Sequence, residues 1–291
     1  MRLSRGERIF QVVNYVLLIL ITLVFIVPLI TVVATSFVSQ EEYARRGALI
    51  LFPESPDIEA YKLLLARGSI VLHAYGITFL RVGVGTFLNL LLTTTLAFVL
   101  SRRELPGRVP LTFFVFFTML FSGGLIPMFV LYDRLGLLNS FWAMITNNLV
   151  NPWYLLIMRT FFMQFPRELE EAAAIDGAGP ARVLWQIVLP LSKPSIATIG
   201  LFYAVWHWNA WFDAAIFIRD WDKMPMQVIL RGILTQGMIQ DPNSPIEADI
   251  LPPAPTLRAA MIVISTVPIL LVYPFLQKYF VRGALVGSLK G

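Results

Sequence analysis

The chain has 291 residues, 57% of them hydrophobic and 14% charged, with 23 basic against 18 acidic side chains and a formal net charge of +5. Soluble domains carry roughly 25% charged residues, so this composition, with a mean hydropathy of +0.72, excludes an ordinary soluble globular protein and points to an integral membrane protein. The absence of cysteine excludes disulfides, thiolate chemistry and Cys-ligated metals. The basic residues fall at the ends of apolar segments, which is a topological pattern and not a nucleic-acid footprint.

In chain order, the charge-free windows are Ile9–Gln40, Val82–Ser101, Val109–Tyr132, Leu135–Met158, Pro194–Phe212 and Ala259–Gln277. A spanning helix needs roughly 20 mostly apolar residues, and each window meets or approaches that length. The pattern predicts an all-α integral membrane protein in one domain, 1–291, with six transmembrane helices at about 9–36, 76–101, 109–132, 138–160, 194–216 and 258–279. The first window follows Arg2, Arg5 and Arg8 but is too long for a signal-peptide core, and no A-x-A-like site closes it, so it reads as a retained helix. Lys and Arg cluster on the segments that share a side with the N-terminus, which makes both termini cytoplasmic.

Residues 38–70 then form an outside segment with the turn-prone Pro53-Glu54-Ser55-Pro56. Arg81 begins the second helix near the outer surface, where it either meets an acidic substrate or snorkels to headgroups. In the third helix Gly123 and Gly124 with Pro127 weaken the backbone, giving a hinge or a packing kink. In the fourth, Asn147 and Asn151 are four apart and share a helix face, suited to a polar pathway or to interhelical hydrogen bonds.

The inside segment, 163–193, is the long polar connector. Pro166 stops the fourth helix. Arg167–Asp176 reads as a short helix rich in Glu, Leu and Ala, and Gly177 allows the left-handed turn that ends it. Ala181–Val188 reads as a second short helix, with Pro190 and Pro194 leading back into the membrane. The small Ala172, Ala173 and Gly177 let a partner approach the backbone closely, and Glu171 and Asp176 can engage basic residues at its rim.

The fifth helix concentrates Trp206, His207, Trp208, Asn209 and Trp211. Indole rings stack on apolar sugar faces and an amide both donates and accepts hydrogen bonds; an interfacial aromatic belt is the alternative. Trp206, Trp208 and Trp211 cannot all share one helix face, so at most two line a pathway. His207 is isolated from other metal-ligand types, and no metal site is expected. Residues 217–256 form the second outside segment, and the sixth window closes the membrane region.

The pattern Glu171-Ala172-Ala173, three residues, Gly177, nine residues, Ile187-x-Leu189-Pro190 is complete. It resembles the EAA loop of permease subunits of bacterial ATP-binding-cassette importers. The chain as a whole is similar to carbohydrate-uptake permeases related to the maltose importer, through Ser101–Arg108, Phe121–Pro127, Trp208–Phe212 and Tyr273–Phe280. Within that family it resembles the branch importing complex oligosaccharides, which includes alginate importers. The resemblance implies a type I importer permease fold in the inner membrane, moving an oligosaccharide inward by alternating access; the alternatives are an importer permease for a non-sugar solute such as a peptide or amino acid, since the EAA loop is shared widely, and a membrane-embedded enzyme, for which no buried carboxylate pair or His cluster is visible. It also implies a second, differing permease chain as heterodimer partner, two ATP-binding subunits and an extracytoplasmic sugar-binding protein. Glu171, Ala172, Ala173, Asp176, Gly177 and Pro190 would then engage an ATPase subunit, and residues 231–256 would reach the sugar-binding protein. The chain lacks a G-x-x-x-x-G-K-[ST] loop, so ATP and Mg belong to the partner subunits, and this chain is expected to bind no cofactor and to be no enzyme.

Overall fold

The computed structural model describes residues 4–236 and 255–288, and among them every regular element is helical. The helices are α1 (Arg5–Thr35), α2 (Gln40–Arg46), α3 (Glu59–Leu64), α4 (Ile70–Ser101), α5 (Arg108–Leu120), α6 (Leu125–Arg134), α7 (Phe141–Thr146), α8 (Pro152–Met163) and α9 (Arg167–Ile175). There follow α10 (Pro180–Val183), a π-helical turn (Leu184–Val188), α11 (Leu189–Leu191), α12 (Lys193–Asn209), α13 (Phe212–Phe217), a 3₁₀ turn (Trp221–Lys223), α14 (Met226–Gln236) and α15 (Pro255–Ser288). They fall into two compact units, one drawn from Met1–Leu72 and Ile229–Val267, the other from His73–Val228 and Pro268–Gly291.

Three helices are long and apolar enough to cross a membrane unbroken: Gly6–Thr35, Ile70–Ser101 and Pro255–Val272. Two further pairs qualify only as bent spans, Arg108–Leu120 with Leu125–Arg134 at 113° and Pro180–Leu191 with Lys193–Asn209 at 84°. The third window is therefore not one straight helix over 109–132. Gly124 takes φ +88 and ψ 172, a conformation open to glycine, and Pro127 sits in the first turn of α6, where its missing N–H removes no intrahelical bond. The fourth window is likewise split, because Pro152 opens α8 and its ring is incompatible with a continuing helix. The fifth departs at Ala210 and Trp211, which lie between α12 and α13. The second helix begins eleven residues before Arg81, at Ile70.

In the first unit, Ser4 starts α1 with a capping box. Its hydroxyl accepts from the Glu7 N–H, and the Glu7 carboxylate accepts from the Ser4 N–H. The segment after α1 folds into a small polar cap. Ser36 shares a 2.7 Å hydrogen bond with the Tyr61 hydroxyl, Phe37 stacks on the Tyr61 ring at 5.1 Å, and Ile50 is fully buried. Glu42, only 5% exposed, accepts from the Glu54 N–H at 2.9 Å and pairs with Arg46 at 2.5 Å, while Arg45 pairs with Glu54. The turn-prone residues Pro53–Pro56 are thus tied to α2 through the backbone and the carboxylate of Glu54. Of the second outside segment, 217–256, residues 237–254 lie outside the described residues.

The second unit is organised on α4. Arg81, Gly85, Asn89, Thr93 and Ala97 recur every fourth residue, and all five are buried. At 3.6 residues per turn this spacing makes a slowly winding stripe down one side of the helix. Lower on α4, Ala97, Phe98 and Leu100 pack with Leu155, Met158 and Phe162 of α8 and with Val183, Leu184 and Val188. The π-turn follows from Pro190: the Leu189 N–H reaches back five residues to Leu184 O, widening the helix just before the proline.

Two outcomes test these packings. A Cβ on Gly85 would lie 2.3 Å from His207 Nε2, so Gly85→Ala should lower stability by about 1–3 kcal/mol, read as a lower midpoint of thermal unfolding in detergent. The Glu54 N–H and then Arg46 hold the Glu42 carboxyl below its ordinary value against the opposing effect of burial. A depressed carboxylate stabilises fully above its unfolded pKa and loses that contribution as pH falls through the lowered value. Intrinsic-rate-corrected amide exchange at Glu54 should accordingly be protected at pH 6, lose protection toward pH 3, and lose that pH dependence in Glu42→Gln.

Candidate functional site

The helix α9 carries the Glu-Ala-Ala run, and its residues divide by exposure. Ala173 is 8% exposed and joins the core with Phe98 and Phe162, whereas Glu171, Ala172, Ala174, Asp176 and Gly177 are exposed. Ile175 is 87% exposed, a large apolar side chain presented at the tip of a polar helix. Gly177 terminates the helix at φ +76, and the Ala178 N–H donates to Ala173 O at 2.8 Å, closing the last turn. Glu168 and Glu170 occupy the first turn, where acidic groups oppose the helix dipole. Glu170 pairs with Arg102, which follows the last residue of α4. Beside this pair lies a pocket of about 220 Å³ between Ser101–Glu104 and the α9 residues Glu170, Glu171 and Ala174. Pro190 belongs to the bend before α12 and not to α9.

The remaining candidates sit around the helix breaks. Arg81 is fully buried, pairs with Asp213 at 2.5 Å, and donates to Ala210 O at 3.1 Å and Met144 O at 3.4 Å. The other Asp213 oxygen accepts from the Ala214 N–H at 2.8 Å. Arg81 therefore neither snorkels to headgroups nor stands free for an acidic substrate: one guanidinium binds α7, the α12–α13 break and α13 together. Its carbon also lies 5.7 Å from the Trp206 ring centroid.

Asn147 and Asn151 do not share a helix face, because the helix is interrupted between them. Asn147 ends α7, and the Asn151 side chain caps α8 by accepting from the N–H groups of Trp153 and Tyr154. The freed carbonyls of Asn148 and Leu149 accept from Asn89 Nδ2 at 2.7 and 2.8 Å. Asn89 Oδ1 meets His207 Nε2 at 2.6 Å. The Tyr203 hydroxyl accepts from the Asn151 N–H at 2.9 Å and bonds Thr93 at 2.8 Å. Among the indoles, Trp208 is buried against Phe79 at 5.5 Å and Tyr75 at 6.3 Å, so it packs helices together. Trp206 and Trp211 are half-buried, and Asn209 is exposed with its amide turned back to Val205 O at 2.8 Å. Phe121–Pro127, including Gly123 and Gly124, is exposed throughout.

Sequence reasoning missed Asp213, Asn89, Tyr203, Arg102 and Glu170. Asp213 closes the fifth charge-free window, one residue beyond Phe212, and is the natural counter-charge for the lone arginine beside the second. Asn89 is the single amide inside the second window and follows Arg81 by two turns.

A family model described as binding-protein-dependent transport system inner membrane component matches residues 89–286. The polygalacturonan/rhamnogalacturonan transport system permease protein YtcP of Bacillus subtilis (strain 168) is 43% identical over 98% of this chain and 99% of its own length. Protein LplC of the same organism is 42% identical over 99% and 97%. Among solved structures, a chain of a bacterial ABC transporter involved in the import of the acidic polysaccharide alginate aligns with a TM-score of 0.88 and 32% identity, over 96% of this chain and 99% of that one.

Because Arg81 is buried against Asp213, Asp213→Ala leaves an uncompensated charge and should destabilise by about 3–5 kcal/mol. The paired replacement Arg81→Met with Asp213→Leu should recover most of the loss, measured by thermal unfolding of the purified protein in detergent.

Proposed function

This chain belongs to the family of inner membrane components of binding-protein-dependent transport systems, and from that premise we propose that it carries an oligosaccharide inward as half of a permease heterodimer. It is a multi-pass, non-catalytic permease subunit of an ABC importer, and its family works with ATPase subunits and a substrate-binding protein. The proposed cargo class is supported by the relatives named for polygalacturonan/rhamnogalacturonan and for the acidic polysaccharide alginate. We read the full arrangement as six spans with both termini cytoplasmic, a second and different permease chain, two ATP-binding subunits holding ATP and Mg²⁺, and a sugar-binding protein docked outside.

The observation that carries the mechanism is α9. It is rooted by Ala173 and offers Glu171, Ala172, Ile175, Asp176 and Gly177 on an exposed face. An apolar anchor ringed by polar groups and small residues suits insertion into a groove of another protein. In this reading α9 is the coupling helix: nucleotide-driven approach of the ATPase subunits pushes on it, and the transmembrane helices rock in response. We assign contact with a sugar to Trp206 and Asn209 of α12 and to Trp211 just after it, and the hinge to the Gly123–Gly124 break. Arg81 and Trp208 act as packing elements in this scheme, since their partners lie within the chain.

Gly177 holds a left-handed conformation that costs other residues about 1–2 kcal/mol, and a bulky side chain there would also block the groove. Gly177→Trp should leave the protein inserted but reduce ATP hydrolysis stimulated by oligogalacturonate-loaded binding protein by about tenfold or more, assayed in the complete transporter in nanodiscs. Stimulation equal to wild type would refute the assignment of α9.

A further inference from the structure

We propose that Arg102 and Glu170 form a strut that makes α4 follow α9 in both directions of the transport cycle, a positioning role that rests on the reading of α9 as the coupling helix. The two helices meet through two kinds of contact. Ala173 presses into the core beside Phe98 and Phe162, and a steric contact of this kind transmits a push. It resists being pulled apart far less, because a single methyl group loses little dispersion energy on separation. The Arg102–Glu170 ion pair supplies the attraction that a return stroke requires.

Its setting makes it stiff. The Arg102 guanidinium lies over the Phe98 ring at 3.9 Å, and Phe98 is held edge-on by Phe162 at 6.4 Å. The adjacent end of α4 is fixed to α8, since Arg159 Nε donates to Leu100 O at 3.0 Å. The two side chains are 27% and 20% exposed, so their attraction is screened less than that of an open surface pair. From Ser101, the residue before Arg102 and the last of α4, that helix leads back to Thr93, Asn89 and Arg81, the groups that hold the breaks in α7–α8 and α12–α13. A rigid helix of about 1.5 Å rise per residue carries a displacement at Arg102 to each of those breaks. The strut thus joins the surface where force enters to the places where the backbone can bend.

The chain contains no cysteine, which permits site-directed spin labels at Val99 on α4 and Glu168 on α9, both exposed. The experiment uses the full transporter in nanodiscs with ATP plus orthovanadate as the trapping probe, and pulsed EPR reads the distance between the labels. In the wild type this distance should be the same before and after trapping. In Arg102→Glu, Glu170→Arg and the isosteric Glu170→Gln it should match the wild type before trapping and shift or broaden afterwards, with an unchanged melting temperature, because a partly exposed pair contributes little to stability. The double exchange R102E/E170R should restore the wild-type behaviour. A trapped-state distance unchanged in all three single variants, or a double exchange that fails to restore it, overturns the strut. Gly177→Trp with labels reporting on α4 and α8 separates the two readings. If it abolishes trapping-induced movement while the charge variants behave as wild type, only the strut fails. If it too moves as wild type, the coupling role of α9 fails.

Discussion

A backbone inside a membrane must satisfy its own hydrogen bonds, and every break in a helix there creates a demand that a side chain has to meet. This constraint organises the second unit. The interruption between α7 and α8 frees the carbonyls of Asn148 and Leu149 and the N–H of Asn151, and these are met by Asn89 and Tyr203. The interruption after α12 frees Ala210 O, which is met by Arg81. Arg81, Asn89 and Tyr203 are the answer to that demand, and only secondarily candidates for touching a solute.

The stripe on α4 shows how the demand is met economically. Arg81, Gly85, Asn89 and Thr93 lie on one side of the helix, so one straight element serves two broken ones. Gly85 is part of the same device, because the His207 ring occupies the space a Cβ would need and reaches Asn89 from there. Arg81 illustrates the energetic logic. A lone buried guanidinium would be prohibitive, but Asp213 neutralises it and two carbonyls accept hydrogen bonds from it. Pairing two charges in this way gives a joint that is hard to open, and it fixes the bend after Asn209 near the half-buried Trp206 and Trp211.

The surface on which another protein would act is built by different means. Among the described residues, a small apolar side chain, an ion pair and a glycine turn hold the polar helix α9, and Glu171, Ala172, Ile175, Asp176 and Gly177 remain exposed. Its legibility in the sequence came from that separation of roles. Glu171, Ala172, Gly177 and Pro190 stand at fixed spacing in a polar stretch between apolar windows, and the helix and its glycine end follow from propensity alone. Arg102 and Glu170 were not legible as partners, since 68 positions separate them and ordinary charged connectors look the same.

By itself the sequence determined that this is a helical membrane protein, where its apolar segments lie, and that α9 ends at Gly177. Composition and local backbone preference are sufficient for those statements because they concern each segment against its solvent. Proline and glycine also marked where a helix is weakened at Gly123–Pro127, whereas Pro152 lay inside a segment read as one continuous helix. Only the tertiary structure decided that these points are full breaks, one of them bent by 113°, and that Asn147 and Asn151 therefore lie on different helices. It alone decided that Arg81 belongs to Asp213, across 132 positions of chain. The physical reason is the same in each case: a broken helix is tolerable in lipid only if a distant side chain satisfies the freed backbone, and which side chain does so is fixed by packing and not by neighbours in sequence.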